Sequence, residues 1–357
     1  MSRVILIEEN IGETRAAVVE NGRIVELHLD RWSEQGQRAI EGEVYRGRVR
    51  RVETALNAAF IDIGIGEDGF LPFGKAGRPK GFHEGAAIGV RVTREAHAEK
   101  GPNLSLTEVE PGDAPEALSD TPILAQRLVA GFGDAEAGWA DESSHDLEAA
   151  FDEALAPKAM IPGGGSLYIE QTRAMTTIDV DADGRKGQGN AQKMAAALNL
   201  LAAKEASRQI RMRGLGGIVA VDFVHMRAQP DRRATEKALR QGFHHDRARI
   251  DVAPISQFGV AELARQRRTR SLGEQMLDAD GRWTVETGAL AALRRLEREA
   301  RAVGGKRLTL LVAPGVAAWL EDDPIEWQSA MTDRIGPRFA IEARDGWPVD
   351  KIDVRAK

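Results

Sequence analysis

The sequence predicts a multidomain protein of the α/β (α+β) class, with a small all-β module in its first third and a parallel-sheet domain behind it. Three observations carry this. Five short β-patterned runs fall between residues 36 and 109 at turn-separated intervals. From Gly163 onward strands alternate with helical segments, so two strands are joined by a helical crossover and run parallel. A chain of 357 residues has length for two to three domains and for a buried core.

In order along the chain, residues 1–35 read as an opening β-hairpin that turns at Asn21-Gly22, a pair suited to the positive φ angles of a tight turn. Residues 36–109 hold EVYRGRVRRVE, NAAFIDIG, DGFLPF, IGVRVTRE and NLSLT, five short strands that suggest a small barrel of the OB type. Residues 110–162 are acidic and rich in Ala, Gly and Pro; from Glu108 to Pro157 there are 13 acids and one base. One helix is expected there, SSHDLEAAFDEALAP, with Ser143 or Ser144 as N-cap and Pro157 as stop.

Residues 163–275 form the α/β part. GSLYIEQ and MTTIDV are strands joined by a turn. NAQKMAAALNLLAAKEASRQIRMRG is a helix with Met194, Leu198 and Leu201 on one face and Gly214 at its end. LGGIVAVDFVHM is a near-continuous apolar strand, the pattern of a sheet buried on both faces. A basic helix from Arg232 to about Phe243, a strand RARIDVAPI and a short helix from about Val260 to Arg268 follow. Residues 276–357 repeat helix, strand (RLTLLVAP) and helix, enough for a small C-terminal α/β domain.

Composition narrows the chemistry. There is no cysteine, which excludes disulfides, thiolate metal sites and a cysteine nucleophile. The N-terminal apolar run is too short for a signal peptide, and no window approaches the roughly 18 apolar residues of a membrane span. A cytoplasmic protein with no membrane partner is expected. The net charge of −6 argues against a nucleic-acid binder, but its distribution argues the other way. From Arg185 to Arg270 there are 18 Lys and Arg against 7 Asp and Glu, a net of +11, which leaves −17 on the rest. A basic block in an acidic chain is a candidate polyanion surface.

The chemistry-bearing stretch is TTIDVDADGRKGQGN, Thr176 to Asn190. Its D-x-D-x-D-G opening resembles a calcium loop, but the twelfth position from Asp179 is Asn190 instead of a bidentate Glu, and the entering segment is β-patterned. Strand parity puts Ile178 and Val180 on one face and Thr177, Asp179 and Asp181 on the other. Asp183 and Gly184 read as turn residues. Asp222 lies inside the most apolar strand; a carboxylate buried there must be paired, protonated or on a metal. Since one helix joins the two strands, Asp179 and Asp222 can stand side by side at one sheet edge, where open α/β sheets place their sites. Two close carboxylates repel unless a cation sits between them, and hard oxygen ligands select Mg2+ or Mn2+ over zinc. A salt bridge from Asp222 to an arginine, with Asp179 capping a turn, is the structural alternative. The Gly-rich DGRKGQG is not a P-loop.

These same residues carry a family resemblance. GGSLYIEQTRAMTTIDVD, EASRQIRMRGLGGIVAVDFVHM, DRARIDVAPISQFGVAELARQR and the N-terminal hairpin with AAFIDIGIGEDGFLPF, in this order over most of the chain, resemble the ribonuclease E/G family of bacterial endoribonucleases. LRRLEREARAVGGKRLTLLVAPGVAAWL resembles that family's small domain. The resemblance implies an RNase H-like subdomain (1–35 and a shortened 110–162) with an inserted S1-type OB barrel (36–109), a DNase I-like catalytic subdomain (163–275) and a small C-terminal domain (276–357). It implies that Asp179 and Asp222 bind Mg2+. Asp181 stands where the family usually has an asparagine that helps orient the scissile phosphate. Phe60, Phe70 and Lys100 match the barrel's RNA contacts. Parity gives Phe60 independent support: Ile61 and Ile63 share one face, which leaves Phe60 with Asp62 on the other, placed to stack a base. Arg46 and Arg48 on the first barrel strand and Arg185 and Lys186 in the Gly-rich loop are the cations expected at RNA.

Three departures qualify the resemblance. Asp181 adds a third oxygen ligand but also a negative charge facing a phosphate. The cysteine pair of the family's inter-subunit zinc link is absent, so no zinc and no zinc-linked dimer is expected, while another oligomer stays open. The stretch before Gly163 is far shorter than in the family, and the Arg-Thr pair that senses a 5′-monophosphate has no clear counterpart. The expectation is a Mg2+-dependent endoribonuclease acting on single-stranded RNA; the alternative is a weakly active or inactive RNA-binding protein on the same scaffold, associated with rRNA or ribosomes.

Overall fold

A computed structural model describes residues 3–79, 82–97, 100–120, 122–133, 135–183 and 191–357. The chain forms β1 (Arg3–Asn10), β2 (Glu13–Glu20) and β3 (Arg23–Arg31), then β4 (Val44–Glu53), β5 (Ala58–Asp62), β6 (Gly69–Pro72), β7 (Ala87–Arg94), β8 (Asn103–Leu106) and β9 (Glu116–Ala117). Next come α1 (Leu124–Phe132), β10 (Glu136–Trp139), α2 (Leu147–Leu155), β11 (Lys158–Met160), β12 (Ser166–Gln171), β13 (Thr176–Asp181), α3 (Ala191–Met212), β14 (Gly217–Asp222), α4 (Gln229–Gly242), β15 (Ile250–Val252) and β16 (Val260–Arg265). The chain closes with α5 (Leu272–Met276), α6 (Val285–Ala302), β17 (Leu308–Val312), α7 (Pro314–Asp322), α8 (Trp327–Ile335), β18 (Phe339–Ala343) and β19 (Asp353–Ala356). Two compact units result: Met1–Glu8, Ala16–His28 and Gly131–Gln275 in one, and Glu9–Arg15, Leu29–Ala130 and Met276–Lys357 in the other. Residues 1–35 and 110–162 each contribute to both units.

The opening segment is a three-stranded meander, not a single hairpin. Its second turn is the expected one, with Asn21 at φ 50° and Gly22 at φ 76°; the first, at Ile11-Gly12, has the same positive-φ glycine but no Asn-Gly signature. β10 extends this sheet by pairing parallel with β1.

In the first unit the second sheet has the order β11-β12-β13-β14-β16-β15. Its β13–β14 pair is parallel, as the crossover through α3 demands, and its other pairs are antiparallel. The buried stripe of α3 is Ala195, Leu198, Ala202, Ala206 and Ile210, at the i, i+3, i+4 spacing of a helix face. Met194 and Leu201, expected on that stripe, are only half-buried, since the helix approaches the core through its alanines. α3 and α4 come so close that a Cβ at Gly242 would lie 1.8 Å from Ser207 Oγ. Ile178, Val180, Val219, Val221, Leu263, Leu198 and Leu239 share one apolar cluster, each burial contributing about 1.5–3 kcal/mol.

Three sequence expectations change here. Val260–Arg265 is a strand instead of a helix: Ala261, Leu263 and Arg265 are buried and their neighbours are not, a period of two. β14 is buried on one face only, with Ile218 51% exposed. The acidic-segment helix is capped by Asp146, whose carboxylate accepts from Ala149 N–H at 3.1 Å, instead of by a serine.

In the second unit β5, β6, β8, β7 and β4 form a ladder that closes through a β4–β5 pairing, a five-stranded barrel consistent with an OB-like domain. The five strands follow the five sequence runs closely. Tyr45, Val49, Ile61, Leu71, Val90, Val92 and Leu104 fill it. Residues 276–357 give the sheet β18-β17-β19, with α6, capped by Thr284, contributing Leu290, Leu293 and Leu296 to a core around Leu310 and Trp327.

Candidate functional site

The acid pair is built by the parallel register of β13 and β14, which places Asp179 directly opposite Asp222 at the carboxyl ends of both strands. Ile178 and Val180 point into the core while Asp179 and Asp181 are exposed on the opposite face. Asp222 is exposed on that same side, not buried as its apolar surroundings in sequence suggest. The physical reason is parity: Val219 and Val221 face the helices, so Asp222, one residue on, turns away from them.

Partial desolvation raises the pKa of Asp179 above the ordinary carboxylate value, and the charges of Asp222 and Asp181 raise it further. Among the described residues, the charges that act on Asp179 are thus those of neighbouring carboxylates. Asp181 Oδ1 accepts from the backbone N–H of Asp183 at 2.7 Å, and Asp183 takes a left-handed φ of 48°. This side-chain-to-backbone turn is one that Asn or Asp makes equally well, so what Asp181 adds relative to an asparagine lies in its other oxygen. Asp183 itself is held below the usual carboxylate range by Lys158, whose ammonium is 3.1 Å from Asp183 Oδ1.

A support shell escaped the sequence reading. Asn199, fully buried on α3, donates to Val224 O at 2.6 Å and accepts from Val224 N–H at 3.1 Å. It clamps the chain just past Asp222. Gln192 accepts from Arg227 N–H at 3.1 Å and holds the same loop further on. A polar residue on the apolar stripe of α3 is the one signal that pointed to it.

Among the described residues no group of three or more His, Asp or Glu side chains stands at metal-holding spacing. Two in-register carboxylates with mutual repulsion nevertheless suit Mg2+, which keeps several waters and needs only one or two carboxylates beside substrate phosphates. Arg185 and Lys186 lie outside the described residues.

On the barrel, Phe60 and Phe70 are directly paired across β5 and β6, both half-buried, with ring centroids 5.8 Å apart in an edge-to-face contact. Arg51, opposite Phe60 on β4, places its guanidinium 4.9 Å from that ring; the sequence reading passed it over, though the register to Phe60 could have found it. Lys100 is exposed, its backbone bridged to His97. Arg46 differs from the expectation of an RNA-facing cation. It is buried and donates to Glu110 O at 3.0 Å and Asp113 O at 3.1 Å, and pairs with Glu116. Arg48 is half-buried and donates to Ala114 O at 3.1 Å and Gly85 O at 3.2 Å. Both arginines tie neighbouring backbone to the barrel, because carbonyls packed there need donors.

The basic block divides in the same way. Arg211 bonds Glu20 and Glu26, Arg208 pairs with Glu153 and Glu205, and Arg265 pairs with Asp246. Lys193, Lys204, Arg227, Arg233, Lys237 and Arg249 remain exposed. No helix among the described residues is long and apolar enough to cross a membrane.

Fold and site together define a class: a mixed α/β protein with an OB-like barrel and a pair of exposed, in-register aspartates at the ends of parallel strands. Comparison with known proteins carries this to a family. The model of the ribonuclease E/G family matches residues 140–268, which hold both aspartates. Ribonuclease G of Escherichia coli (strain K12) is 23% identical, covering 99% of each chain. Ribonuclease E of the same organism is 25% identical over 97% of this chain and 45% of its own length. Ribonuclease E of Haemophilus influenzae is 32% identical over 59% of this chain and 25% of its own. The chain thus spans less than half the length of these ribonuclease E relatives. The family match and the similarity over nearly the whole chain support membership of the ribonuclease E/G family.

Proposed function

We propose that this protein is a Mg2+-dependent endoribonuclease that cleaves single-stranded RNA in RNA processing or decay. The observation that carries the reading is the Asp179–Asp222 pair in register on an exposed sheet face. Family membership and the match over residues 140–268 support it. In this reading the barrel is an S1-type module inserted in an RNase H-like subdomain, and residues 163–275 are the DNase I-like catalytic part.

Asp179 and Asp222 are the residues that would hold the cation at the strand ends, and Asn199 ties down the chain just after Asp222. A bound Mg2+ or Mn2+ supplies an acidified water and neutralises charge on the phosphate. Asp181, two residues along β13 on the same face, stands where an orienting asparagine is expected and brings a negative charge toward the phosphate instead. In-line attack of water forms a new P–O bond and breaks the P–O3′ bond; water gives up a proton and O3′ takes one, which leaves a 3′-hydroxyl and a 5′-phosphate. On the barrel, Phe60 and Phe70 stack bases and Arg51 and Lys100 meet the backbone; each stacked base contributes roughly 1–3 kcal/mol.

Cleavage of an unstructured RNA with Mg2+ by the wild type and by Asp222→Asn tests the assignment. Since Asp222 is exposed, the variant keeps its fold and loses cleavage; equal cutting by both proteins removes the pair from the mechanism.

A second reading rests on Asp181, which brings a third negative charge to a face that meets phosphate. In it the scaffold binds RNA, associated with rRNA or ribosomes, and turns over weakly or not at all. Salt-dependent RNA binding with no product under Mg2+ or Mn2+ distinguishes it.

A further inference from the structure

The outer face of the β11–β16 sheet carries more than acids. Lys158, Tyr168, Asp179 and Asp222 stand in one register row across β11, β12, β13 and β14, and directly opposed residues project to the same face. Tyr168 is therefore the immediate neighbour of Asp179, one strand spacing away, and is 38% exposed. Lys158 lays its ammonium 5.2 Å from the Tyr168 ring centroid while it bonds Asp183.

The other flank has a matching feature. Val260 opposes Asp222, and Phe258 sits two residues earlier in a tight turn closed by Ser256 N–H to Val260 O at 2.9 Å. Phe258 is 76% exposed, more than any other large apolar side chain among the described residues. A ring left in water at a turn tip adds nothing to folding, and turns ordinarily carry small polar residues.

We infer that Tyr168 and Phe258 are base platforms, which stack the two nucleotides on either side of the scissile phosphate, with Lys158 meeting the backbone on the Tyr168 side. This rests on the reading of the aspartate pair as the cleavage centre. The row from Tyr168 to Val260 spans three strand spacings, about 14 Å, and Phe258 lies two residues beyond Val260. Bases stacked in a duplex follow one another at about 3.4 Å per strand. Nucleotides that reach both platforms must be unpaired and turned away from each other, which presents the phosphate between them to the acids. The selection for single-stranded RNA then resides at the cut itself, independent of the barrel.

The test uses the full chain, Mg2+ and a short unstructured oligoribonucleotide with one mapped cut, in versions that lack the base 5′ or 3′ of the cut. With wild type, each missing base lowers kcat/KM by roughly 5- to 150-fold. Tyr168→Ala abolishes one of the two penalties and Phe258→Ala the other, and Tyr168→Phe restores the first. If the wild type cuts and both penalties persist in both alanine variants, the platforms are wrong and the nuclease reading stands. If the wild type cuts nothing, the nuclease reading fails, and the Kd of the same oligonucleotides decides on the platforms. Weaker binding of the intact oligonucleotide by both alanine variants, with no change for the base-less versions, supports them; unchanged binding overturns them.

Discussion

Replacing Asp181 by asparagine removes one negative charge from the site without disturbing the turn, because the oxygen that accepts from Asp183 N–H is present in both side chains. Asp181 and Asp179 are two residues apart on one strand, about 7 Å along it. Coulomb's law at that distance gives about 0.6 kcal/mol in a water-like medium and about 2.4 kcal/mol near a protein surface. Both carboxylates are exposed, so the effect belongs toward the lower figure, roughly three- to tenfold in rate. Asp181→Asn should raise kcat for RNA cleavage by that factor at saturating Mg2+, with half-saturation at higher Mg2+ because one charge fewer attracts the cation. The pKa of Asp179 should fall with the loss of its neighbour's charge, which shifts the acid limb of the pH–rate profile to lower pH. Added salt should shrink the gain, since the Debye length at 0.15 M is about 8 Å. A fall in kcat at saturating Mg2+ would refute the reasoning and make Asp181 a required ligand.

Other variants separate positioning from scaffold. Asn199→Ala leaves the N–H and C=O of Val224 without partners; denaturation should show a loss of about 2 kcal/mol or more, with reduced cleavage at saturating Mg2+. Phe60→Ala should weaken RNA binding roughly 5- to 150-fold with little change in Tm, whereas Arg46→Ala should lower Tm by a loss of about 1–3 kcal/mol, because its guanidinium serves the barrel's own carbonyls. Burial pushes the Glu26 carboxyl up, but His28, Arg211 and Arg247 outweigh it and hold it down to about 2. A depressed carboxylate contributes stability above its unfolded value of about 4.5 and loses it as the pH falls toward 2. Acid unfolding monitored by circular dichroism should therefore be less steep in this window for Glu26→Gln, with lower stability at neutral pH.

Much of the fold is legible because its signals are local. Five strand runs read from turns and alternation become the five barrel strands, and the helix and strand read in the tail are present as α6 and β17. Val260–Arg265 was misread because alternation over six residues, with a buried arginine in the pattern, imitates a helical face. The meander's first turn was missed because Ile11-Gly12 has the needed backbone conformation without the usual residue pair.

The sequence by itself determined which carboxylates share a face and that Asp179 and Asp222 could be neighbours, since strand parity and a single crossover helix are properties of the chain alone. Only the tertiary structure decided that β13 and β14 meet in the register that puts the two opposite each other, and that Asp222 is exposed. It alone showed that Arg46, Arg208 and Arg211 serve the interior while Tyr168 and Phe258 flank the acids. The reason is physical: a charge or a ring in a sequence has no partner until strands from distant parts of the chain are paired, and its role is set by what then stands within a few ångströms of it.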